Sequence, residues 1–213
     1  MYWLHFILLT VVCCTAQLNV WDSGDGMRYR LNVVQDVWLE NSSNKNNQKH
    51  LIVGKHAGWE KKRTLVQFES ITKEDCPIEK LRWAKMYIWY EYSHKWSAQS
   101  VYDAPFTSRP LEVHRVNQEW KESEATKFNR MSGVNWGTPW LGIDNVDAEI
   151  IPQDYQPTWI YTSRPQSYVE FDVTLAVKSW IQGKPNYGLL INALDENTDA
   201  RDIRFLSSES GDE

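Results

Sequence analysis

Between Tyr168 and Ile191 the sequence YVEFDVTLAVKSWIQGKPNYGLLI changes its hydrophobic period twice. Val169, Phe171 and Val173 alternate with Glu170 and Asp172, the spacing of a half-buried strand. Thr174 is a residue type that caps helices, and Leu175, Ala176, Val177, Trp180 and Ile181 then follow at the spacing of about two helical turns. Gly183 stops the helix, Pro185 prevents its continuation, and Leu189–Ile191 reads as a buried strand. This order predicts a β protein in which a short helix near 175–181 caps an open end, with Trp180 as its plug.

The rest of the chain agrees with that frame. Met27, Tyr29, Leu31 and Val33 alternate with Arg28, Arg30 and Asn32; Leu51–Val53 and Thr64–Phe68 are short β-rich runs. LRWAKMYIWYEY, from Leu81 to Tyr92, is apolar on both faces and reads as a central strand, with Trp83 and Trp89 assigned, like Trp180, to the core. Further strands are expected over Leu111–Val116, Thr158–Tyr161, Tyr168–Val173, Tyr187–Ala193 and Ile203–Leu206. From Glu119 to Pro157 the alternation fades, and a long connection packed over the sandwich end is expected. No repeat or interdomain linker interrupts the pattern.

The first sixteen residues, MYWLHFILLTVVCCTA, hold an apolar run and end in Cys14-Thr15-Ala16, small residues suited to a signal peptidase. Residues 1–16 are therefore expected to be a signal peptide, leaving 17–213 as a single secreted β-sandwich domain. No later stretch reaches the roughly 18 apolar residues of a transmembrane helix. Cys13 and Cys14 would leave with the signal, so Cys76 is expected to remain as the free cysteine, buried or open to a Cys76-linked dimer. Asn41-Ser42-Ser43 is a glycosylation sequon in a polar run. A formal charge of −5 argues against nucleic acid as a partner.

Five motifs in order carry a resemblance: Arg63-Thr64-Leu65-Val66-Gln67-Phe68 (R-x-L-x-x-F); the Ile78–Tyr87 strand, similar to an I-x-x-A-x-L type; Val116–Glu122 (V-x-x-x-W-x-E); Phe171-Asp172-Val173-Thr174 with Trp180 and Asn186-Tyr187-Gly188; and Phe205–Glu209 (F-x-S-x-E). Over roughly Val33–Glu209 the chain resembles the DNRLRE domains, classed as family ninety-six carbohydrate-binding modules. The resemblance implies a jelly-roll-like antiparallel β-sandwich of secreted proteins, some of which bind acidic polysaccharides. It departs at Thr126-Lys127-Phe128, where the family often has Thr-Trp, and at Gly211-Asp212-Glu213, where the family continues into a Pro-containing final strand. A C-terminally truncated domain is the expectation.

No catalytic motif is present, and a non-enzymatic protein is expected. The chain holds 12 Trp, 10 Tyr and 6 Phe, and a flat ring can lie under the apolar face of a pyranose. Trp96, Trp136 and Trp140, set among Ser, Gly, Asn and Pro, are the candidate sugar-binding residues. Lys61 and Lys62 are candidates for attracting uronate carboxylates. No cofactor is expected; a structural calcium ion is left open, with Asp144, Asn145, Asp147 and Glu149 as oxygen donors, although no ligand set follows from spacing. The reading is a secreted module that binds extracellular polysaccharide, acidic polysaccharide included; the alternative is a structural extracellular-matrix protein, for example of a mineralised matrix, without a specific glycan.

Overall fold

The protein is described by a computed structural model covering residues 7–13, 27–40, 44–55, 60–95, 107–160, 167–194, 196 and 201–210. Trp96 and the Asn41 sequon lie outside the described residues.

The fold is an all-β sandwich with one short α-helix. Its strands are β1 (Ile7–Cys13), β2 (Met27–Leu31), β3 (Val33–Trp38), β4 (His50–Lys55), β5 (Lys61–Lys62), β6 (Thr64–Phe68), β7 (Leu81–Lys95) and β8 (Thr107–Arg115). They continue with β9 (Asn129–Met131), β10 (Val134–Asn135), β11 (Asp154–Ile160), β12 (Ser167–Asp172), β13 (Leu189–Ala193) and β14 (Arg201–Leu206). One sheet runs β2-β1-β7-β14-β4-β5, with β12 also on β7; the other runs β11-β8-β13-β6-β3. Tyr90 of β7 pairs with Ser167 of β12 and with Phe205 of β14, while Tyr87 pairs with Glu170 of β12 and Leu8 of β1. Each residue has one partner per edge, so β1 and β14 lie end to end along one edge of β7 and β12 takes the other.

Alternation fills the space between the sheets. Ala84, Met86, Ile88 and Tyr90 of β7 meet Val66 and Phe68 of β6, Leu111 and Val113 of β8, and Leu189 and Ile191 of β13 in one buried core. Each such side chain withdrawn from water contributes about 1.5–3 kcal/mol before its ordering entropy is counted. Leu190 and Leu65 point the other way, yet they too are buried, in a second core with Val37, Val116, Trp120, Trp136, Leu141 and Ala148. The long connection after β8 therefore covers the outer face of the second sheet rather than the sandwich end. Its few β-signals are explained by the β9–β10 hairpin, only three and two residues long on its two sides.

The helix α1 (Thr174–Ile181) buries Ala176, Val177, Trp180 and Ile181. Thr174 is its first residue, not its cap: Asp172 Oδ1 accepts the Thr174 N–H (2.9 Å), while Thr174 Oγ1 accepts the Ala84 N–H (2.9 Å) and ties the helix to β7. Gly183, at φ 95°, reverses the chain. Gly188 has φ 83°, and a Cβ there would stand 2.3 Å from the Val66 carbonyl oxygen, so the β13–β6 contact demands glycine.

Two findings bear on the N-terminal segment. Ile7–Cys13 is an interior strand between β2 and β7, with Leu9 and Val11 fully buried. Cys76 is buried and disulfide-bonded, which corrects the expectation of a free cysteine at Cys76. That expectation discarded Cys13 and Cys14, whereas the fold brings the Cys13 backbone opposite Leu81, a few residues beyond Cys76. No described helix is long and apolar enough to cross a membrane.

Candidate functional site

Among the described residues no connection covers the outer face of the other sheet, and β7 writes that face in sequence. In Trp83-Ala84-Lys85-Met86-Tyr87-Ile88-Trp89 the even positions enter the core and the odd ones point outward. Trp83, Lys85, Tyr87 and Trp89 are half-buried on this outer face, so Trp83 and Trp89 are not core residues. At about 3.3 Å per residue the row runs roughly 20 Å along the strand. On the neighbouring β12, Tyr168 pairs with Trp89 in register and is 43% exposed.

These rings are held in place by one another. Tyr168 meets Trp89 edge to face at 4.8 Å between ring centres and Tyr87 at 6.4 Å, contacts worth about 0.5–1.5 kcal/mol each beyond their burial. Lys85 Nζ lies 5.5 Å from the centre of the Trp83 ring and donates to Glu170 Oε1 at 2.5 Å. That hydrogen bond, opposed by slight desolvation, raises the Lys85 pKa and keeps the ammonium charged. The register of β1 and β2 extends the same face through Thr10 to Arg30, which is exposed. The result is an aromatic strip on rigid strands, with a cation and a carboxylate beside it. It can stack planar apolar surfaces and hydrogen-bond polar groups at their edges.

The residues picked from sequence are dispersed instead. Trp136 is buried in the second core, its Nε1 donating to the Thr126 carbonyl (2.9 Å). Lys62 is buried too; its Nζ lies 3.3 Å from Glu40 Oε1 and 3.5 Å from Glu60 Oε2, over the Trp38 ring at 4.7 Å. Lys61 pairs with Glu196 (3.3 Å). Trp140 is half-buried, with Lys127 Nζ 5.3 Å from its ring centre and 4.6 Å from that of the exposed Phe128. Trp140 and Leu141 both have positive φ, and Arg63 clamps this kink by donating to their carbonyls at 3.1 and 2.8 Å. The same guanidinium forms a bidentate buried pair with Glu196 at 3.1 and 2.5 Å.

The acidic loop holds itself together. Asp147 accepts the N–H groups of Gly137, Thr138 and Gly142 at 2.8, 2.9 and 3.0 Å. Asp144 is partly desolvated, but N–H donors from Asp147 and Val146 and the Thr138 hydroxyl hold its carboxyl below the usual range. Asn145 accepts the Ile150 N–H and Glu149 pairs with Arg115 (2.5 Å). Their oxygens are spent on protein donors and do not converge. Among the described residues, one group of metal-ligating side chains does converge: Asp36, Glu122 and Glu209. Its members lie far apart in sequence, so spacing gave no signal; the aromatic row was hidden in an apolar run that read as buried on both faces.

No protein-family model matches the chain, and no curated protein matches it. What the described residues define is an all-β sandwich with one outer face covered by the connection after β8 and an aromatic row on the other.

Proposed function

We propose that the protein is a secreted, non-catalytic carbohydrate-binding module whose ligand lies along the aromatic row of β7 and β12. The observation that carries this reading is the outward row Trp83, Tyr87, Trp89 with Tyr168, on the sheet face that no connection covers among the described residues. Trp89 and Tyr168 offer apolar ring surface to pyranose C–H faces, while Lys85 and Arg30 supply donors for hydroxyls or uronate carboxylates. The strip's length suits several consecutive sugar rings, hence a polymer rather than a monosaccharide. The disulfide at Cys76 supports an oxidising, extracellular setting.

The test is affinity electrophoresis and a glycan array with the purified protein. Retardation by a polysaccharide, lost in Trp89→Ala and Tyr168→Ala but kept in Trp140→Ala, is the expected result. Retention of binding in the first two variants with loss in Trp140→Ala would move the site to the Lys127–Phe128–Trp140 end. Absence of binding to every neutral and acidic polysaccharide would favour the structural-matrix alternative.

A further inference from the structure

We propose that Asp36, Glu122 and Glu209 form a calcium site that joins the edge of the second sheet to the connection after β8 and to the turn after β14. An oxygen of each carboxylate lies within 4.8 Å of those of the other two, the separation of ligands across an ion with Ca–O distances of about 2.4 Å. The donors are hard oxygens, with neither His nor Cys among them, which suits calcium better than a transition metal.

A second observation sets this group apart from a surface acidic cluster. Asp36 is only 1% exposed. Its Oδ2 accepts the Ser208 N–H (2.7 Å), but its buried Oδ1 meets no donor. A lone buried carboxylate oxygen costs several kcal/mol unless a proton or a cation satisfies it. Burial, then the Glu209 charge and contact with its carboxylate, push the Asp36 pKa up to about 8. Burial and Glu209 likewise push Glu122 up to about 7, against a hydrogen bond from the Asp36 N–H. A divalent cation bound among the three converging oxygens would satisfy the buried Asp36 Oδ1, which no protein donor reaches.

The surroundings are built to hold these oxygens in position. Gln35 Oε1 accepts the Glu122 N–H (2.8 Å) and Gln35 Nε2 donates to Gln67 (2.6 Å). Ser208 Oγ donates to Glu209 Oε1 (3.0 Å), and Ser207 is fixed to the Lys49 carbonyl through its N–H (3.1 Å). Carboxylates from β3, the connection and the last turn thus meet where three separate segments touch.

The experiment uses the full chain after chelator treatment. Calcium chloride is titrated by calorimetry at pH 7.5 and 8.5, and Tm is read with and without 10 mM calcium. One calcium per chain is expected, with a Kd of about 0.1–1 mM, as in extracellular modules. The accompanying Tm rise is about 3–10 °C. Glu209 is exposed, so Glu209→Gln removes a ligand without emptying the core; it and Glu122→Gln should weaken binding at least about tenfold and abolish the Tm shift. Absence of heat and of a Tm shift in the wild type at both pH values would overturn the proposal. So would calcium binding that both variants retain. Neither readout involves a polysaccharide, so this result stands or falls apart from glycan binding.

Discussion

Replacing Arg63 by leucine tests how the fold fixes its connection. The Arg63 side chain is 11% exposed and that of Glu196 4%, and the pair is bidentate. Arg63→Leu leaves the Glu196 charge with Lys61 alone, at 3.3 Å, and strips the donors from the Trp140 and Leu141 carbonyls. Breaking one partner of a buried ion pair costs about 3–5 kcal/mol, which for a domain of this size is a Tm fall of roughly 6–20 °C. Glu196→Leu alone leaves the cation with its two carbonyl acceptors and costs less. The double variant Arg63→Leu/Glu196→Leu removes both charges and recovers most of the loss, leaving about 1–3 kcal/mol for the unsatisfied carbonyls. Urea unfolding followed by tryptophan fluorescence on all four proteins closes the double-mutant cycle. A single Arg63→Leu variant within 1 kcal/mol of wild type, on the scale of an exposed pair at about 0–1 kcal/mol, would refute the reasoning. A coupling below about 0.5 kcal/mol would do the same.

Other perturbations are sharper but simpler. Asp147→Ala orphans three N–H groups and should cost about 2–4 kcal/mol by urea unfolding. Gly188→Ala combines positive φ with a Cβ clash against the Val66 carbonyl; a loss of at least about 2 kcal/mol is expected, and a neutral substitution would contradict the close approach. In calcium-free buffer the pH dependence follows from Asp36, raised from 3.8 to about 8, and Glu122, raised from 4.5 to about 7. The native state then holds more protons than the unfolded chain between those values, so Tm should fall as pH rises from about 4 to 8. A Tm that climbs across that window, measured by calorimetry, would show that these carboxyls ionise easily.

Strands such as β12 were legible because they keep period two, and β4 and β13 because their short apolar runs are bounded by turn residues. The helix was legible from its roughly 3.6-residue spacing and its Gly183 stop, but its cap was not: Val173 holds that position without a side-chain bond, and Thr174 is instead bonded to β7. Tryptophan placement was less readable. Trp136 sits among Gly and Asn as a loop residue would, yet Leu65 and Leu190 need a cover and it supplies one. Trp83 and Trp89 sit in an apolar run, yet Ala84, Met86 and Ile88 already fill the inward side. Lys62 read as a candidate for ligand carboxylates because the protein carboxylates that meet it are not grouped in sequence: Glu40 precedes β4, and Glu60 directly precedes β5. The carboxylates Asp36, Glu122 and Glu209 meet only through tertiary structure.

The central claim is that the open aromatic face binds glycan, and Trp89 is its most direct probe. Titration calorimetry of wild type and Trp89→Ala against the best polysaccharide from the array, with thermal melts to confirm folding, measures it. A loss of affinity of about tenfold or more, equivalent to about 1.4 kcal/mol, with Tm kept within a few degrees, is the predicted result. Equal affinity in the two folded proteins would contradict the claim.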